Sequence, residues 1–350
     1  MQITAKIIKG IKYTSFLGRK LKHFPLNDLA IALTKDATFF LDVDDQNKLA
    51  VSWWVSAKRT RSYPYARVYD SFGFSGKRLT IIPIMKDEGS KGDRDFLQWD
   101  TISLMSLLGI YVIISYYKDA SKSDLEGKIT KQRFDELQIR KQIDNLLKYQ
   151  GDALHWNLNQ IDDVLSICKK AIESYERISK KLKVSLHSKK LAENRMYKLM
   201  ENKEIFLKTS RELASRAQLR ESIVTHLAES VDGSKSILTI SNYLGGNYYF
   251  TSDEVRIIGD EVYLVEAKNT RDKTLPSLGD IKDGLLKMIL FTNLEQVKVN
   301  NEELKHLPLL KLTGNKKGKL TEIDQEVLSI LKKEANTNRF KLEFNGKLLE

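Results

Sequence analysis

A mixed α/β fold is what the sequence predicts, and three features of its patterning predict it. In residues 1–120, apolar runs rich in β-branched and aromatic residues alternate with a helix-like stretch. Across residues 129–228 proline is absent, glycine is missing after Gly151, and apolar residues recur at helical spacing, as at Ile161, Val164, Leu165 and Ile172. After Lys235, strand-like runs return, separated by Gly245–Gly246 and Gly259–Asp260. At 350 residues, the chain is long enough for two domains or for two joined by a helical connector. The expected division is an N-terminal α/β domain over 1–125, a helical middle region over 126–210 and a second α/β domain over 211–350.

In the first part, strands are expected at 38–43 and 49–55, then a hairpin of 66–72 with 78–85 around the turn SFGFSGK. A helix over 95–108 and a strand over 111–117 follow. The uncharged run TISLMSLLGIYVIISYY (101–117) falls short of the ~18 apolar residues of a membrane span. Gly109 divides it into a Leu- and Met-rich helix and a β-branched, aromatic strand, with the glycine as C-cap. The middle region reads as three helices, 131–149, 158–183 and 187–229, with breaks near Gly151–Asp152 and at KVSLHS. The last part reads as strands SILTISNYL, NYYFTSDEVRII and EVYLVEAKN, a helix over 278–291 and a strand over 296–299. A helix over 322–334 and a strand over 340–344 close it.

Hydrophobic residues make up 41% and charged residues 30%, a globular balance that excludes a disordered chain. The net charge of +12 suits a polyanionic partner, because Lys and Arg neutralise phosphates and release counterions. The single cysteine, Cys168, excludes an intrachain disulfide and lies on a helical apolar face, a core position. With no long apolar run behind the N-terminal charges, a cytoplasmic protein without membrane association is expected. Its five histidines show no zinc-ligand spacing, and no GxxxxGK[ST] or GxSxG element occurs.

The chemistry concentrates in TSDEVRIIGDEVYLVEAKNT. The Gly259–Asp260 turn joins two strands, and period-two alternation puts Val262, Leu264, Glu266 and Lys268 on one face of the second. A carboxylate and a lysine thus project from the end of an otherwise apolar strand, where unpaired charge is costly. The end of the first strand brings Asp253, with Glu254 beside it. Two carboxylates are hard oxygen ligands suited to Mg²⁺, which can hold a phosphate and acidify a water. A nearby lysine can orient that water and offset phosphate charge. A salt bridge between Glu266 and Lys268 in a protein without activity would leave the same pattern.

Asp253 followed by Glu266-Ala267-Lys268 resembles the signature of the PD-(D/E)xK nucleases, typical of type II restriction endonucleases. The likeness covers residues 212–300, in the order helix, three-stranded meander, helix, strand, with 296–299 as that last strand. It implies a restriction-endonuclease-like core over 211–350. It further implies Asp253 and Glu266 as Mg²⁺ ligands, the Ala267 carbonyl near the metal, and Lys268 as the water-positioning base. Ser252 stands where the family often has proline, and Glu254 is a rival to Asp253. A further carboxylate from the preceding helix is implied, with Glu221 favoured over Glu229 and Glu212. Lys282 and Lys287, in the helix behind the site, are candidates for phosphate contact or for a solvent-facing stripe.

The segment AKRTRSYPYARVYDSF interleaves cations with tyrosines, a composition for reading DNA or for a plain hairpin. Lys58, Arg59, Arg61, Tyr63, Tyr65 and Arg67 are its candidate contacts. Asp70 and Lys86 echo the nuclease order, but Ile84 stands where an acid belongs, leaving Asp87, Glu88, Asp93 or Asp95 as substitutes. The N-terminal part then reads as a DNA-recognition or vestigial nuclease-like domain. The lysines and arginines of 169–220 form a candidate phosphate-tracking surface. The expected activity is hydrolysis of phosphodiesters in double-stranded DNA at a specific sequence, within a restriction-modification system that includes a companion methyltransferase. A nuclease of DNA repair or of modified DNA, and a DNA-binding protein without catalysis, are the alternatives. Cutting both strands needs two active sites or two successive events, so a homodimer is expected.

Overall fold

The computed structural model describes residues 2–8, 10–44, 46–57, 62–200, 236–242, 246–315 and 318–349. Along the chain, β1 (Gln2–Lys6), β2 (His23–Pro25), α1 (Leu29–Lys35), β3 (Thr38–Asp42) and β4 (Lys48–Trp53) precede helix α2 (Ser62–Tyr69). Next come β5 (Arg78–Pro83), β6 (Met85–Asp87), β7 (Arg94–Phe96), α3 (Trp99–Leu107), β8 (Tyr111–Ser115), β9 (Tyr117–Lys122) and β10 (Ile129–Phe134). Helices α4 (Glu136–Lys148), α5 (Ala153–Asp162), α6 (Val164–Leu182) and α7 (Lys189–Met200) follow. The remainder holds β11 (Ser236–Asn242), β12 (Gly246–Ser252), β13 (Glu254–Ile258), β14 (Glu261–Asn269) and α8 (Leu278–Phe291). It ends with β15 (Glu295–Val299), β16 (Glu302–Glu303), β17 (Lys305–Thr313), α9 (Glu322–Asn338), β18 (Lys341–Phe344) and β19 (Lys347–Leu348). The protein is therefore mixed α/β with several sheets. Among the described residues, no helix is long and apolar enough to cross a membrane.

The chain forms two compact units that interleave in sequence. Unit 1 comprises residues 1–20, 61–75 and 214–350, and unit 2 comprises residues 21–60 and 76–213.

In unit 2 the sheet runs β2-β3-β4-β5-β8, with only the β3–β4 pair antiparallel. Leu41, Val51, Leu79 and Ile81 of the sheet share a core with Leu29 of α1, Ile139 and Ile143 of α4 and Trp156 of α5. The edge strand β8 would leave its outer amides unpaired. Helix α5 covers them instead: Asn157 Oδ1 accepts from Val112 N at 2.7 Å, and Gln160 Oε1 accepts from Ile114 N at 3.3 Å. Gly109 adopts φ +66° just past α3, the left-handed conformation that ends the helix before β8.

Unit 1 holds two sheets, β12-β11-β1-β15-β16 and β13-β14-β17-β18-β19. In the second sheet, β13 and β14 form an antiparallel hairpin, while β14, β17 and β18 run parallel. The link from β14 to β17 passes through α8, and that from β17 to β18 through α9. Helix α8 lies against β14 and β17, and α2 packs on α8. The expected helix over 278–291 is found at those bounds. The strand over 295–299 does not pair with β14, however; it pairs with β1, and β17 takes the place beside β14.

Two further expectations are corrected. Residues 66–72 do not form a hairpin strand with 78–85, because Ser62–Tyr69 is helical. Its β-branched and aromatic content reads as strand. Yet Tyr65, Val68, Tyr69 and Phe72 recur at helical spacing and are buried. The first two middle helices also divide differently. Residues 129–134 are strand β10, and the expected helix 158–183 breaks at Asp163 into α5 and α6.

The buried Glu334 of α9 ties the N-terminal segment and α2 into unit 1. Its carboxylate accepts hydrogen bonds from Tyr13 Oη (2.7 Å), Tyr69 Oη (2.6 Å), Phe16 N (3.0 Å) and Leu17 N (3.1 Å). Burial raises the carboxyl pKa, and the four donors oppose that shift. Glu334→Ala strands these donors in the core and is expected to cost about 3–5 kcal/mol in urea unfolding. Glu334→Gln, which keeps an acceptor, is expected to cost less than half of that.

Candidate functional site

Asp253 sits where the chain leaves one sheet of unit 1 and enters the other, between β12 and β13. Ser252, fully buried, pins this corner: its hydroxyl lies 2.8 Å from the carbonyl oxygens of both Glu254 and Val265. Beyond the Glu254–Val265 pair, the hairpin register brings Asp253 level with Glu266. The Asp253 amide still donates to Val265 O at 3.0 Å, but strand pairing then ends. The next amide of β14 on that edge is Ala267 N, and Asp253 Oδ2 accepts from it at 2.8 Å. A side chain thus satisfies the amide that the ladder leaves over. This bond also orients the carboxylate toward the end of β14.

Glu266 is fully buried, and two lysines reach it. Lys287 Nζ of α8 donates to Oε2 at 2.6 Å, and Lys268 Nζ lies 2.9 Å from Oε1. Each carboxylate oxygen of the buried Glu266 thus has one ammonium against it. Lys268 is held on its other side by the Asp283 carboxylate of α8. Asp283 and Lys287 stand at i, i+4 and share a face of α8. Gly284 between them brings the helix close. A Cβ there would sit 2.8 Å from Leu310 Cδ1 and 3.4 Å from the Lys268 side chain.

The electrostatics follow from burial and proximity. Burial, and then the Asp253 charge, push the Glu266 carboxyl up to about 7. Burial would raise Asp253 too, but Lys287, the Ala267 N–H, Lys268 and a hydrogen bond with Glu266 together hold it below its usual value. Burial would lower Lys268, but the Glu266 and Asp283 carboxylates outweigh it and keep the ammonium charged. The pair of acids is thus asymmetric, with Asp253 held below its usual value and Glu266 above it.

The other sequence candidates fall elsewhere. Glu254 points into a separate cluster with Arg256, Lys311 and, through Arg256, Glu343, so Asp253 is the residue beside Glu266. Glu221, Glu212 and Glu229 lie outside the described residues. Lys282 is neither solvent-facing nor free for phosphate: it is buried and pairs with Asp70 Oδ1 at 2.5 Å. Lys287 likewise points into the site rather than to solvent. Almost the whole circumference of α8 is buried, which removes the expected polar stripe. Tyr65 is buried in α2 and offers no stacking face, while Arg67 on the same helix is half-buried. Tyr63 contributes backbone to α2, and Lys58, Arg59 and Arg61 lie outside the described residues. Asp283 was not apparent from the sequence motif; its one sequence signal is the i, i+4 spacing to Lys287.

The N-terminal echo of the same order does not assemble. Asp70 belongs to unit 1, where it pairs with Lys282 and Arg19, and Lys86 belongs to unit 2. Ile84 is buried, and Lys86 pairs with Glu88. Asp87 accepts from Gly89 N and lies 2.9 Å from His187 Nδ1, while Ser56 Oγ donates to Asp95. Cys168 is buried in α6, where burial pushes its thiol up to about 12, away from nucleophile chemistry.

Among the described residues, no group of three or more His, Cys, Asp or Glu side chains is arranged to hold a metal ion. The pair Asp253 and Glu266 nevertheless suits a divalent cation. Both are hard oxygen donors, and the Asp253 charge acts against that of Glu266 in a buried site. Comparison with known protein families, curated proteins and solved structures returned no match.

The raised Glu266 carboxyl sets a pH dependence. Between about 4.5 and 7 the folded protein holds a proton that the unfolded chain has released, so stability falls as pH rises through this window. Glu266→Gln removes that loss. Unfolding measured at several pH values is expected to show wild type losing up to about 3 kcal/mol more than the variant across the window.

Proposed function

We propose that the protein is a Mg²⁺-dependent endonuclease of the PD-(D/E)xK type that hydrolyses phosphodiesters of double-stranded DNA, acting as a type II restriction enzyme. One observation carries the reading: a β-hairpin sets Asp253 at the start of one strand, level with Glu266 and Lys268 at the end of the other. Helix α8 follows β14, as the resemblance implies, but the expected three-stranded meander is divided, with β12 and β13 in different sheets, and β17 rather than 295–299 lies beside β14.

Asp253 and Glu266 would hold the metal. When bound, the metal polarises the scissile phosphate and acidifies a water. The Ala267 N–H fixes the Asp253 carboxylate before any ligand arrives, so that orientation is preorganised. Lys268 is cationic between Glu266 and Asp283, so it acts first as a donor that orients water or a phosphate oxygen. Asp283 limits where that ammonium can point. The basic net charge of +12 supports a polyanionic substrate.

Cleavage of unmodified plasmid and phage DNA, with and without Mg²⁺, tests the reading. Wild type is expected to give discrete fragments with Mg²⁺ only. Glu266→Ala and Lys268→Ala are each expected to slow cutting by at least about a hundredfold. Cutting confined to modified or structured DNA would move the assignment to a modification-dependent or repair nuclease. Salt-sensitive binding without cutting, unchanged in Asp253→Ala, would sink catalysis.

A further inference from the structure

Lys287 has no part in the signature, yet it reaches the centre of the site. Its ammonium lies 2.6 Å from Glu266 Oε2. A largely buried ammonium against Glu266 does electrostatically part of what a bound metal would do there: it offsets the repulsion between Glu266 and the neighbouring Asp253. Lys268 keeps Asp283 as a partner if Glu266 turns to another cation. Lys287 carries a long, flexible stem on a helix whose backbone is fixed against β17 by Gly284.

We infer that Lys287 is an internal counter-cation, holding Asp253 and Glu266 in the metal-free protein and giving way when a divalent ion enters. Metal affinity is then set in part by competition with this lysine, and the displaced ammonium becomes available to an anionic substrate. The inference rests on reading Asp253 and Glu266 as metal ligands. A lysine with a purely structural role makes the opposite prediction, since its removal would loosen the carboxylates and weaken metal binding.

The test is Mn²⁺ binding to the full chain, followed by calorimetry and by the loss of free Mn²⁺ signal in electron paramagnetic resonance. Lys287→Met is expected to bind Mn²⁺ about tenfold more tightly than wild type, and Lys287→Arg about as wild type does. Unchanged or weaker binding by Lys287→Met overturns the inference while leaving the metal site intact. Glu266→Gln separates the two levels: if it binds Mn²⁺ as wild type does, the metal reading fails and this inference fails with it. Should Lys287→Met not fold, acetylation of Lys287 in wild type decides the matter by mass spectrometry. Faster acetylation with Mn²⁺ supports displacement, and an unchanged rate overturns it.

Discussion

Charge buried at the end of β14 is the constraint around which unit 1 is organised. Three carboxylates, Asp253, Glu266 and Asp283, and two ammonium groups, Lys268 and Lys287, meet where a hydrophobic strand should simply end. Removing each ion from water costs several kcal/mol, and mutual attraction offsets this only if the partners are held in place. The strand corner at Ser252 holds Asp253. Gly284 lets α8 close on β14 and β17, which delivers Asp283 and Lys287. Behind α8, Asp70 at the end of α2 neutralises Lys282, so the helix carries no unpaired cation on its buried side.

That requirement explains why unit 1 draws on distant parts of the chain. Helix α2 is separated in sequence from the rest of the unit, and it is secured twice, by Asp70 to α8 and by Tyr69 to Glu334 on α9. Glu334 also gathers Tyr13, Phe16 and Leu17. A single carboxylate thus joins two insertions to the C-terminal part. It does so by hydrogen bonds rather than by ion pairs, so its energetic weight lies in what its loss would leave unsatisfied.

Much of this was legible from periodicity and little of it from composition. Alternation identified Glu266 and Lys268 as neighbours on one face of β14, because a strand's side chains have only two faces. Helix 278–291 was found at its expected bounds, and Ser277, which accepts from Asp280 N, caps its start. What was not legible depends on contacts made at long range. Residues 62–69 carry strand-like side chains, and only burial against α8 makes helix the better state. Lys282 and Lys287 read as surface cations because nothing local announces Asp70 or Glu266 as partners. The choice of β17 over 295–299 as the neighbour of β14 is set by β1, which captures 295–299 from the far end of the sequence.

The two lysines of the site are not interchangeable, and the reason lies in their supports. Lys268 extends from the same strand face as Glu266, so its backbone moves with the carboxylate it neutralises, and Asp283 fixes its other side. Lys287 reaches across from a helix and is aimed at the edge of Glu266 that Lys268 does not occupy. The asymmetry of the two acids matches this. The Ala267 amide and the cations around it hold Asp253 below its usual value, whereas burial and the Asp253 charge push Glu266 up to about 7. On the proposed metal-binding reading, two groups would leave Glu266 to a divalent ion, the Lys287 ammonium and a proton. The positions of Asp253 and Lys268 need not change, since their other partners, Ala267 and Asp283, are unaffected by that exchange. Rigid and yielding elements thus alternate around one pair of carboxylates, which lets a preorganised geometry coexist with charge that must be exchanged.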